Sequence, residues 1–189
     1  MTNRLVALAA TAALALCAGS AAAQQAAPAA PAAPAAPVYT PVSPTLPDLK
    51  VTFTDPAWTG VSLPAGQQCS RNQGSGSTPP LRVENIPAGT TAIILQFNDT
   101  DYAPLSTNGG HGQIGFTVNA AIASLPAVKG ETATMPAGVF IEANNRASGP
   151  GYLPPCSGGA GHLYFADVLA VSKADGKLLA KGRINLGKW

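Results

Sequence analysis

Pro154-Pro155-Cys156-Ser157-Gly158-Gly159-Ala160-Gly161-His162-Leu163-Tyr164-Phe165 runs a stiff turn into an extended strand, and the rest of the chain is read outward from it. The paired prolines fix the backbone, and the small residues after them let it approach a ligand closely. Alternation along a strand puts His162 and Tyr164 on one face, with Leu163 and Phe165 on the other. A lone histidine here would be an ordinary structural residue. An imidazole, a phenol and glycine amides together form a donor cluster suited to a small anion such as a phosphate or carboxylate.

Downstream, the spacing predicts a strand over His162–Ser172, the longest in the chain. A hairpin turn at Asp175-Gly176 follows, then a last strand over Leu178–Leu186. Upstream, Ala92–Phe97 is an unbroken apolar run of strand length, expected to be central and buried on both faces. It ends in an acidic turn, Asn98–Pro104, carrying Asp99 and Asp101 two residues apart. These acids either cap backbone amides in an Asx-type turn or Asp99 lines a pocket opposite His162 and orients its ring. An anion bound beside Asp99 would suggest a zwitterionic ligand, the acid taking the amine end.

In Gln113–Val118 the apolar residues alternate, which predicts a one-sided strand preceded by a glycine-bearing loop with His111. Leu49, Val51 and Phe53 alternate likewise, and Leu81–Val83 and Val139–Ile141 are shorter candidates. Leu125–Gly138 reads as turn. Short strands with turn signals and no convincing amphipathic helix argue a mainly β protein, an antiparallel sandwich with little helix.

The chain divides into three parts. Residues 1–23 have a basic start at Arg4, an apolar run and an Ala21-Ala22-Ala23 ending, the layout of a cleavable signal peptide cut after Ala23. A lipid anchor through Cys17 would want a small residue before it, and Leu16 stands there. Residues 24–47 are rich in Ala and Pro and predict a disordered, semi-rigid spacer. Residues 48–189, about 140 in number, suffice for one domain with its own core. The expected location is periplasmic or secreted.

Of the 11 Lys and Arg only Arg4 falls in the leader, so ten remain against 9 Asp and Glu. That balance gives no electrostatic case for nucleic acid, and no transmembrane segment is expected in the mature chain. Beyond the leader only Cys69 and Cys156 remain. They predict one disulfide in an oxidising compartment, or else two buried thiols.

Signatures of catalysis are missing: no nucleophile elbow, phosphate-binding glycine loop or zinc-protease helix motif is present. The chain is read as a non-enzyme without cofactor. A metal site from His111, His162, Asp99 and Asp101 has no diagnostic spacing. A Ser157–His162 pair, a phosphoester hydrolase using Asp99 and His162, and an inhibitor-like protein-interaction module are the alternatives weighed.

Several blocks, in order, resemble the phosphatidylethanolamine-binding protein family, in its bacterial Raf-kinase-inhibitor-like branch. Cys69…Asn72…Ser77-Thr78-Pro79-Pro80-Leu81 looks like the family's Cys-x-x-Asn-x-Ser-Pro-x-Leu loop, and Ile86–Thr91 like its Val-Pro-Ala-Gly-Thr segment. Asp99-Thr100-Asp101-Tyr102-Ala103-Pro104 is similar to its Asp-Pro-Asp-Ala-Pro signature, with Thr for Pro and one residue inserted. Pro154–Phe165 resembles the Gly-Pro-Cys-Pro-Pro…His-x-Tyr-x-Phe block, and Leu179–Gly182 the closing strand.

The resemblance implies a β-sandwich with a small pocket for phosphate or phospholipid head groups. It implies Asp99, His162 and Tyr164 as pocket residues and Pro155 as pocket wall; Asp101, two residues from Asp99, is a further candidate ligand-binding residue. The family's second pocket histidine opens a His-Trp-Val-Val-x-Asn strand, and counting back from Asn119 reaches Gln113 or Ile114 instead. His111 lies two or three residues early. Either a loop shift brings it into the pocket or the pocket lacks that donor.

Overall fold

A computed structural model describes residues 36–189. The expected signal peptide and the first half of the spacer lie outside the described residues. Among the described residues nine strands run in chain order: β1 (Thr40–Pro41), β2 (Lys50–Phe53), β3 (Leu81–Glu84), β4 (Ala92–Asp99), β5 (Gln113–Thr117), β6 (Ile122–Leu125), β7 (Val139–Ala143), β8 (Leu163–Ser172) and β9 (Lys177–Lys188). They form a six-stranded sheet, β1-β9-β8-β4-β5-β7, and a three-stranded sheet, β2-β3-β6. Every pairing is antiparallel except β1 on β9. Helix among the described residues is limited to two single turns, Ser70–Asn72 and Ala103–Leu105.

The core fills the space between the sheets. Ile93, Leu95 and Phe97 of β4, Ile114 and Phe116 of β5 and Ala166, Val168 and Ala170 of β8 point inward to meet Leu81 and Val83 of β3 and Leu125 of β6. The alternate residues of β4, Ala92 and Ile94, join Val171 in a second apolar cluster on the outer face of the large sheet. The unbroken apolar run of β4 is thus explained: both of its faces are covered.

Three sequence expectations change. β5 is buried on both faces rather than one, because Gly115 leaves room for the Phe140 ring: a Cβ at Gly115 would stand 2.2 Å from it. At twelve residues β9 is longer than β8, which begins at Leu163 and leaves His162 just ahead of the strand. The last part of the 24–47 spacer lies along the sheet. Thr40 N–H donates to Gly176 O (2.9 Å), Val42 N–H to Leu178 O (3.0 Å), and Pro47 O accepts from Lys181 N–H (3.1 Å). Tyr39 packs on the outer cluster and donates to Glu142 Oε1 (2.5 Å), a carboxylate that Lys173 also pairs. A proline-rich strand can hold only an edge, and β1 is an edge.

Candidate functional site

The inward rows of β4 and β8 end in polar residues at the same end of the sandwich. On β4 the row Ile93, Leu95, Phe97 continues to Asp99; on β8 the row Ala170, Val168, Ala166 continues to Tyr164 and on to His162. Asp99 and Tyr164 are direct cross-strand partners, which puts His162 diagonally across from Asp99. The contact follows: His162 Nδ1–H donates to Asp99 Oδ2 at 2.8 Å. Asp99 is 3 % exposed, whereas a quarter of the His162 side chain remains accessible.

Asp99 spends its other oxygen inside the protein, where Oδ1 accepts Asp101 N–H at 2.9 Å. The Asx-type turn and the pocket role are therefore both realised by one carboxylate. Each oxygen of Asp99 thus holds one donor, the His162 ring on Oδ2 and the Asp101 amide on Oδ1.

Tyr164 lies between the two histidines. Its ring stacks near that of His162, centroids 6.5 Å apart, and meets the edge of the His111 ring at 5.3 Å. Its hydroxyl accepts Cys156 N–H (3.2 Å), and burial pushes the phenol above its ordinary value, so it stays neutral at physiological pH.

His111 reaches the site through an irregular pairing. Phe97 N–H donates to Gly112 O (3.1 Å) while His111 N–H donates to Phe97 O (2.9 Å), two residues bracketing one. Regular alternation from Ile114 and Phe116 would turn His111 away from the core; this bulge turns it in. Gly112 makes the bulge feasible: its φ is 106°, and a Cβ there would stand 2.4 Å from Gly151 O. The shifted loop thus brings the His111 ring to the cavity wall, but its N–H is spent on a backbone carbonyl. His111 is 2 % exposed, its Nδ1–H donates to Leu153 O (2.9 Å), and burial holds the ring below its ordinary pKa against the milder pull of that carbonyl and Asp99.

A cavity of about 520 Å³ opens here, lined by Asp99, His111, His162 and Tyr164, with Arg71 and Arg146 at its rim. Arg146 is held there by a bond from Nη2 to Thr107 O (2.6 Å). Both arginines come from polar loops, and sequence reasoning missed them; no periodicity marks a loop residue that returns to a site.

Two expected pocket residues stand back from the wall. Asp101 is exposed, and its Oδ2 accepts Leu163 N–H (2.8 Å), pinning the acidic turn to β8. Pro155 is buried behind the loop, its carbonyl accepting Cys69 N–H (2.9 Å). The neighbouring Cys156 is bonded to Cys69, so the disulfide alternative holds, and it ties the Arg71 turn to the loop that contacts Tyr164. Ser157 donates its hydroxyl to Trp189 O (2.7 Å), with no bond to His162. Among the described residues, no group of three or more His, Cys, Asp or Glu could hold a metal ion.

The fold and site together define a two-sheet β protein whose apolar core opens at one end into a histidine-lined cavity. The model of one family, phosphatidylethanolamine-binding protein, matches residues 53–188. The chain belongs to the phosphatidylethanolamine-binding protein family. Among solved structures, a homologue of that family, CT736 from Chlamydia trachomatis, is similar with a TM-score of 0.51 and 21% identity, over 75% of this chain and 97% of that one. E. coli YbcL, described as a new member of the mammalian family, gives 0.49 and 19%, over 75% and 98%. At 21% identity the first likeness speaks for the fold. No curated protein matches the chain.

Proposed function

We propose that this protein binds a small oxyanion of the phosphate or phosphorylated head-group type in the cavity beside His162, and that it does so outside the cytoplasm without turning the ligand over. The observation that carries the reading is the convergence of two imidazoles, two phenols and two guanidinium groups on one cavity with a single carboxylate, itself already paired to His162. Formal charge on that wall favours an anion, two arginines against Asp99, and donors from Arg71, Arg146 and Tyr164 suit phosphoryl oxygens.

Binding rather than hydrolysis is supported by Ser157, the nearest hydroxyl of nucleophile type, which is engaged with Trp189 O instead of a base. Export is supported by the signal-like sequence of residues 1–23 and by the Cys69–Cys156 bond, which suits an oxidising compartment.

Titration with inorganic phosphate and with phosphoethanolamine, followed through the ring resonances of His111 and His162, tests the proposal. Both histidines should shift in a saturable way, and Asp99→Asn, which frees the His162 ring, should weaken the interaction at least about tenfold. Unmoved resonances at millimolar ligand would overturn it.

A further inference from the structure

Arg71 reaches the cavity rim on a turn that does not hold itself. The single helical turn Ser70–Asn72 has Cys69 at its N-cap position, and that residue supplies no side-chain cap. The acceptor comes instead from 61 residues away: Ser70 N–H donates to Glu131 Oε2 and Ser70 Oγ–H to Glu131 Oε1, each at 2.9 Å. A carboxylate gripping one residue with both oxygens fixes its orientation as well as its place. Arg71 is the next residue along; it is exposed and enters no ion pair among the described residues.

Glu131 itself occupies a left-handed backbone position, φ 54°, where glycine sits at ease and a glutamate is strained. Its surroundings hold it there. Gly130 N–H donates to Gly76 O (3.0 Å) and Glu131 N–H to Tyr152 O (2.8 Å). A Cβ on Gly130 would stand 2.6 Å from Pro154 Cγ, so the chain is pressed against the segment that leads to Cys156. Gly76 belongs to the loop that carries Arg71, and Tyr152 and Pro154 to the stretch that runs on to His162. A strained side chain kept at that joint is a mark of function rather than of packing.

We propose that Glu131 is a positioning residue: by gripping Ser70 it sets Arg71 at the cavity rim, where the guanidinium meets an incoming oxyanion already in place. The proposal rests on the oxyanion reading above and deepens it, naming a residue that acts on the ligand only through another. Glu131 is not among the residues lining the cavity. Its carboxylate takes Ser70 and makes no ion pair with Arg71, which leaves the guanidinium charge for the ligand. An arginine on an untethered turn would lose both side-chain and loop freedom on binding, and that ordering weakens affinity.

The test measures inorganic phosphate binding by calorimetry on the unmodified protein, Glu131→Ala, Arg71→Ala and the double variant, well below each Tm. Glu131→Ala should weaken phosphate at least about fivefold, and the double variant should bind no more than about twofold weaker than Arg71→Ala alone. Glu131→Gln, which keeps an acceptor for Ser70 N–H, should recover affinity to within about twofold of the parent. If alanine at 131 impairs folding, Glu131→Gly removes the carboxylate while suiting the left-handed backbone, and should show the same loss. Exchange of the Gln73 and Gly74 amides, bonded to Ser70 O and Cys69 O in this turn, should quicken at least about tenfold without the carboxylate.

Losses that multiply in the double variant would overturn the proposal, since Glu131 would then support the domain rather than the arginine. So would unchanged affinity in Glu131→Ala, with the oxyanion reading left standing. A parent protein that binds no phosphate would defeat the oxyanion reading itself; quickened exchange in Glu131→Ala would still identify the residue that holds Arg71, and unchanged exchange would remove that role too.

Discussion

Replacing Cys69 and Cys156 together by alanine should act mainly on the unfolded chain. The two residues are 87 apart in sequence, and closing a loop of that length costs the unfolded chain about 4.6 kcal/mol in the chain-entropy model at 25 °C. For a domain of this size that loss corresponds to a fall in Tm of about 10–18 °C. The native geometry has a second fastening at the same place: Cys69 N–H donates to Pro155 O (2.9 Å), and the segment carrying Arg71 is also held where Ser70 donates to Glu131. Phosphate binding well below the new Tm should therefore persist. Urea unfolding of both proteins gives the stability difference, and the variant's slope should be the steeper because its unfolded chain is more open. A loss under about 1 kcal/mol with an unchanged slope would refute the reasoning, since it would mean that the bridge restrains little of the unfolded ensemble.

Gly112→Ala should cost about 1–3 kcal/mol through the positive φ and the clash with Gly151 O, and should weaken phosphate binding because His111 rides on that bulge; intact binding in a correctly folded variant would contradict the route given for His111. Burial lowers the His111 pKa, so below the unfolded value of about 6.5 the unfolded chain takes up more protons and stability falls as pH drops. Denaturation midpoints taken at about pH 7 and about pH 5 should therefore separate less in His111→Gln than in the parent, and equal separations would show that this ring is not the group responsible. The Tyr152 hydroxyl is buried without a partner, so Tyr152→Phe should be neutral or gain up to about 1 kcal/mol by calorimetry; a clear loss would reveal a partner for that hydroxyl.

Where a strand ladder is unbroken, the sequence carries its geometry openly. Asp99, Tyr164 and His162 could be brought together because β4 and β8 pair without interruption over Ala92–Asp99, so side-chain alternation survives to the ends of both strands. His111 escaped that logic because a two-against-one pairing reverses the alternation, and only Gly112 hints at it. The outer burial of β5 was hidden for a related reason: Gly115 has no side chain to show that Phe140 covers it. β6, Ile-Ala-Ser-Leu, is four residues long with a single β-branched side chain and does not stand out, and β1 lies in a stretch rich in proline. Arg71 and Arg146 lie on loops, where position in space is set by the disulfide, by Glu131 and by Thr107 O rather than by any repeat.

The docking of Tyr39–Pro41 against the β8–β9 hairpin sets the end of the sheet at which the described chain enters. Its leading segment joins the sheet beside Lys177 and Leu178, while His162 and Tyr164 stand at the opposite end of the same ribbon, ten residues or about 30 Å away. The described chain therefore enters the sheet at one end of the β8–β9 hairpin and lines its cavity at the other.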